Sequence, residues 1–241
     1  MSSKQLRLGF TLAALVAVAA PARAAPLIDL YDWGFNLDGT TYLAPDAYSR
    51  PDPGQLPSNI NVSAFDFSDG QGDGGGLGTV TFTLTTTGSH YVSAFFDHEI
   101  DEPDNGYTNE NGAAHGSPGT DQSWQIDDPW NSNIIDNLKA GTLNNSSTPF
   151  GPNDVAMALG WSFTLAQDET ATVSFIINDM GPPSGFYLSQ TDPDSKVTLY
   201  FRSVLAVRQG PSIPEPPTAL LLSLGLAGLL ASRRYLWHSA C

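Results

Sequence analysis

The densest run of chemically able side chains is Asp97-His-Glu-Ile-Asp-Glu102, with Asp104 and Asn105 close behind. On an extended strand, alternate residues share a face, so Asp97, Glu99 and Asp101 would line up at spacings of about 6.8 Å. Like charges so placed repel one another, and a hard divalent cation relieves the repulsion. Calcium, which takes about six to eight oxygen ligands, suits Asp97, Glu99, Asp101 and Asp104. A solvated acidic loop has the same composition, so the calcium site is one of two readings. Asp127-Asp128 and Asp192-Pro-Asp194 are further acidic pairs whose distance from the first the sequence leaves open.

Other chemistry is sparse. The chain contains no G-x-S-x-G, H-E-x-x-H, P-loop, C-x-x-C or EF-hand loop. Of its histidines, only His90, His98 and His115 fall in the body of the chain, and their spacing assembles no triad. The expectation is a non-enzymatic protein. A glycosidase needs only two facing carboxylates, so a secreted glycan-active enzyme stays as a lesser alternative. Trp33, Trp124, Trp130 and Trp161, with many tyrosines, offer stacking surfaces for a sugar polymer, although Trp161 is expected in the core.

The ends of the chain state where it goes. Lys4 and Arg7 precede an apolar run over residues 8–20, and Ala22-Arg-Ala24 fits a small-x-small cleavage site. Residues 1–24 therefore read as a signal peptide cut by signal peptidase. Near the other end come Pro214, Glu215 and Pro216, an uncharged apolar run over residues 219–231, then Arg233 and Arg234. That run spans about 20 Å as a helix, short of a membrane core of about 30 Å. It must draw in flanking residues and let the arginines snorkel on the cytoplasmic side.

These residues resemble the PEP-CTERM sorting signal of Gram-negative bacteria. The resemblance implies a substrate of exosortase, transiently anchored in the membrane and then moved to the cell surface or beyond it. The tail after Arg234 is longer than is usual in that family. Gly76-Leu-Gly-Thr-Val80, residues 91–102 and residues 184–195 are similar to a recurrent ectodomain type among PEP-CTERM proteins. No activity is attached to that type, so the resemblance implies shared fold and export and carries over no catalytic residue.

Residues 211–241 thus form the sorting signal, and residues 25–210 the exported domain. Of the 25 acidic residues only Glu215 lies outside 25–210, leaving 24 there against five basic ones, Arg50, Lys139, Lys196, Arg202 and Arg208. A net charge near −19 repels nucleic acid and anionic lipid, and favours solubility, cations or a neutral extracellular polysaccharide. Cys241, the one cysteine, lies in the tail, so the domain must stand on a hydrophobic core without disulfides.

The elements that must position the acidic run read as strands. Val, Phe, Tyr, Thr and Ile alternate in short stretches between Gly, Pro, Asn and Asp clusters, and the fold class expected is all-β, an antiparallel sandwich or jelly roll. Val80, Phe82 and Leu84 alternate with threonines, and Gly88-Ser89 then reads as a two-residue hairpin turn into residues 91–96. A second hairpin is expected over residues 155–178, turning at Ala166-Gln-Asp168. Between them residues 98–154 read as one long inserted loop region, with a short helix near residues 134–140 capped by Gly141. The glycine-rich residues 68–76 read as a flexible polar loop.

Overall fold

The computed structural model describes residues 27–101, 106–148, 153–210 and 222–227. The signal peptide, Pro214, Glu215, Pro216, Arg233, Arg234 and Asp104 lie outside the described residues. Residues 222–227, inside the C-terminal apolar run, are helical. Among the described residues no helix is long and apolar enough to cross a membrane.

The described residues form a mostly β fold of two six-stranded sheets, consistent with the all-β class. The first contains β1 (Ile28–Leu37), β2 (Thr40–Leu43), β5 (Gly88–Ile100), β7 (Gln122–Asp127), β8 (Ser146–Ser147) and β9 (Ala156–Leu165), in the order β2-β1-β5-β9-β7-β8. The second contains β3 (Ile60–Asp66), β4 (Leu77–Leu84), β6 (Asn111–His115), β10 (Glu169–Asn178), β11 (Tyr187–Thr191) and β12 (Thr198–Gln209), in the order β3-β4-β10-β12-β11-β6. Among the described residues every strand pairing is antiparallel except β7 with β8.

The period-two patterns do mark strands, but neither expected hairpin forms. β4 pairs with β3 and β10, whereas β5 pairs with β1 and β9. Likewise β9 lies in one sheet and β10 in the other. The physical reason is burial. A hairpin would leave Val80, Phe82 and Leu84 beside Val92, Ala94 and Phe96 on one uncovered face. Folding one strand over onto the other sheet sets the two apolar faces against each other, and all six residues are buried in one core. Rings from both sheets meet there: Phe96 of β5 lies 5.3 Å from Phe201 of β12, and Phe35 of β1 lies 5.6 Å from Phe82 of β4. Edge-on packing of this kind adds to the area buried.

The long insert is also different from the expectation. It is no loop laid over a finished body, because it supplies β6 at the edge of one sheet and β7 and β8 at the edge of the other. The short helix does form, as α1 (Ile134–Ala140), and Gly141 closes it in the left-handed conformation at φ 68°. It covers the outer face of the first sheet, where Ile134 and Leu138 bury Phe95, Ala156 and Ala158. Asn36 donates from its side chain to the Leu138 carbonyl at 2.7 Å and so ties β1 to the helix end.

The glycine-rich loop is held at many points. The Asp29 carboxylate accepts from the backbone N–H of Gly72 and Gly74, each at 2.7 Å, and Gly75 donates to Ile28 at 2.8 Å. Glycine is required at the start of β4: Gly78 has φ 127°, and a Cβ there would stand 2.2 Å from the Ala64 carbonyl oxygen of the bulged strand β3.

Candidate functional site

Strand β5 sorts its end residues by face. Phe96 enters the core between the sheets, so Phe95, Asp97 and Glu99 face outward. Phe95 is covered by α1, while the two carboxylates lie beyond the helix where loops close over the sheet. β1 sets Asp32 opposite Asp97 after a bulge at residues 30–32, and β9 sets Ala156 opposite it on the other side. Asp154, two residues before that strand, is held through its neighbour: Asn153 and Glu110 exchange backbone hydrogen bonds at 3.0 and 3.1 Å. Asn153 also donates from its side chain to Asp128 at 3.1 Å. Asp128 in turn accepts from the backbone N–H of Trp130 and Asn131, each at 2.8 Å. One small network therefore fixes Asp154 and presents Trp130.

Asp97, Glu99 and Asp154 each bring a carboxylate oxygen within 4.8 Å of the others, and all three residues are buried. Asp97 is fully buried, and neither of its carboxylate oxygens has a hydrogen-bond partner. Burial, together with the like charges of Asp154, Glu99, Asp32 and Glu110, holds its carboxyl well above the usual carboxylate range. Burial also lifts Asp32 to about 6, and lifts Glu110 well above its ordinary value with Glu99 adding to the effect. Beneath the strand, the buried His98 accepts burial in the neutral form: loss of water pushes its ring down to about 4, against the opposing hydrogen bond to the Gly76 carbonyl at 2.8 Å.

Above the three carboxylates opens a cleft of about 470 Å³ lined by Tyr31, Tyr48, Gln71, Glu99, Tyr107, Trp130 and Asp154. Its aromatic wall is built edge to face, with Tyr31 centred 4.9 Å from Tyr48 and 6.0 Å from Trp130. Trp130 is 63% exposed and Tyr107 49% exposed. Such large apolar rings left in water at the rim of a cleft are where a ligand gains contact area.

Two of the four carboxylates expected from the sequence, Asp97 and Glu99, come together here. Asp101 does not join them, because the chain leaves the strand at that residue with φ 60° and the alternation stops. Asp104 lies outside the described residues. Asp154, Tyr31, Tyr48 and Tyr107 were not singled out in the sequence, and nothing local marks Asp154, which lies far from Glu99 along the chain. Of the other acidic pairs, Asp192 accepts from the backbone N–H of Asp194 and Ser195, Asp127 accepts from Thr148, and Asp128 supports the site through Asn153 and Trp130. Of the tryptophans, Trp33 is buried and donates to the Ser49 carbonyl at 2.8 Å. Trp161 is only half buried, with its N–H on Ser203 at 2.9 Å.

The histidines are committed elsewhere. His90 uses both ring nitrogens, on Asp38 at 2.8 Å and on the Thr86 carbonyl at 2.7 Å. His115 meets Ser189 at 2.9 Å, but Ser189 is buried and offers no exposed nucleophile.

Fold and site define an all-β protein of two antiparallel-rich sheets with an acidic, aromatic-walled cleft at the end of one of them. No family model, curated protein or solved structure matches the chain.

Proposed function

We propose that residues 25–210 form a non-enzymatic β-sandwich that works outside the cell as an envelope, matrix or adhesive component and binds a neutral extracellular polysaccharide in this cleft. The observation that carries the reading is the cleft itself, an aromatic wall with Trp130 and Tyr107 exposed at its rim above a carboxylate floor. Sugar rings present flat C–H faces to aromatic planes and hydroxyls to carboxylates, and a neutral polymer meets no repulsion from a chain of formal net charge −15. Trp130→Ala should weaken binding to a polysaccharide array by at least about tenfold, the equivalent of about 1.4 kcal/mol, and leave far-UV circular dichroism unchanged. Equal binding by the variant would overturn the reading. Release of reducing sugar from a bound polymer would instead favour the glycan-active enzyme. Three carboxylates converging on one point suit ligation better than two groups flanking a glycosidic bond.

Export and sorting rest on the terminal residues alone. The expectation is that exosortase processes the chain at Pro214, Glu215 and Pro216 after signal peptidase has removed residues 1–24. Mass spectrometry of the secreted product should find no peptide from residues 218–241, and Glu215→Ala should leave an unprocessed precursor. An intact C terminus on the mature wild-type protein would sink the sorting assignment.

A further inference from the structure

We infer that Asp97, Glu99 and Asp154 bind one calcium ion at the floor of the cleft, and that its open coordination positions take vicinal hydroxyls of the bound sugar. The second half of this inference rests on the polysaccharide reading above, and the first half does not.

Two independent features point to a cation. The first is convergence: three residues from two distant parts of the chain place oxygens within 4.8 Å of one another under a single cleft. The second is Asp97, fully buried and turned into that group with neither oxygen hydrogen-bonded. A buried polar group without a partner costs about 1–3 kcal/mol, and a charged one more. The large majority of buried polar side-chain atoms in folded proteins have a partner, so both Asp97 oxygens left without one point to a bound ion. Lys139 offsets the charge of the neighbouring Asp32, and the causes of the shift at Asp97 itself include no cation.

The donor set selects the ion. All three ligands are carboxylates, the hard oxygen donors that calcium and magnesium prefer, with no His or Cys to favour zinc or copper. Three carboxylates give three to six oxygens, short of calcium's full shell of about six to eight. Glu99 and Asp154 both line the cleft whereas Asp97 is closed off behind them, so the missing ligands must arrive from the cleft side. Water fills them in the free protein. A pair of adjacent sugar hydroxyls replaces two waters with both oxygens already held at chelating distance, while the ring lies against Tyr31 and Trp130. Magnesium fits less well, because it demands near-octahedral geometry and sheds water reluctantly.

The test uses the full-length chain solubilised in detergent, with terbium and calcium as probes. Tyrosine and tryptophan transfer excitation to a bound terbium ion, and Tyr31 and Trp130 line the cleft above the site. Excitation of the aromatics should therefore give sensitised terbium emission that calcium displaces and equimolar magnesium does not. Asp97→Asn should weaken the ion by at least about a hundredfold. It should also lose the rise in Tm that calcium gives the wild type. Glu99→Gln provides a second variant should the first fail to fold. Absence of terbium emission, with no calcium heat up to about 10 mM, would overturn the site; that level exceeds the weakest extracellular calcium modules. The bridging half is read on mannan, galactan and dextran. Chelator should abolish binding to the retained polymer, and periodate cleavage of its vicinal diols should do the same. Binding that survives chelator but is lost in Trp130→Ala would overturn the bridge and keep the cleft. Calcium binding in a protein whose polysaccharide binding ignores Trp130→Ala would overturn the cleft reading and keep the ion site.

Discussion

Phe96→Ala should cost the folded domain about 3–5 kcal/mol, a drop in Tm on the order of 10 °C for a domain of this size. Phe96 is fully buried, and its ring stands 5.1 Å from Phe65, 5.3 Å from Phe201 and 6.0 Å from Phe35. Those partners come from β3, β12 and β1, so the cavity opens between the two sheets and no single element can move to fill it. Phe95, the next residue, is almost equally buried but faces the other way, into the small cluster under α1. Phe95→Ala should cost less overall and loosen α1 first, visible as early hydrogen exchange at residues 134–141 with the sheets still protected. Both variants are read by denaturant unfolding. Equal losses with simultaneous exchange throughout would mean that α1 and the core between the sheets form one cooperative unit.

In chelator, stability should fall as pH rises from about 5 to 6, by up to about 3 kcal/mol per pH unit. The sign follows from counting protons. A carboxyl whose pKa is raised on folding stabilises the native state below its unfolded pKa, and that contribution is lost as pH rises through the folded value. Asp32, raised to about 6, and Asp97 and Glu110, raised well above their ordinary values, keep their protons in the native chain over this window. Unfolded, all three have released them. His98 works the other way, since its folded value of about 4 leaves it neutral where the unfolded ring is charged. Three protons held by the native state against one held by the unfolded state leave a difference of two, and each is worth about 1.4 kcal/mol per pH unit. Asp97 would be ionised with calcium bound, which should halve the slope. Urea unfolding across this range, with chelator and with calcium, measures both. Stability that rises with pH in chelator would show that the buried carboxyls are not held protonated.

Much of the domain was legible because period-two alternation depends on local sequence alone. Val80, Phe82 and Leu84 between threonines must present one apolar face, and they do. The helix at residues 134–140 was equally legible, since the left-handed glycine that ends it is a local requirement. The partners of each strand were not legible. An apolar face can be covered by pairing sideways into a sheet that packs elsewhere, or by folding over onto its successor. Gly88-Ser89 and Ala166-Gln-Asp168 permit either, and only the total burial of the two-sheet core decides it.

The candidate site divides along the same line. Asp97 and Glu99 share a face because β5 is extended, which their spacing alone determined. That Asp101 drops out was decided by the backbone turning at φ 60° where the strand ends. That Asp154, Tyr31, Tyr48 and Trp130 complete the site was decided by pairings among β1, β5 and β9 and by the Asn153–Glu110 bridge. Residue types and their spacing determine what a segment can offer, because propensity and alternation act over a few residues. Which offers meet in space depends on contacts between distant parts of the chain, and those exist only once the two sheets have closed on their common core.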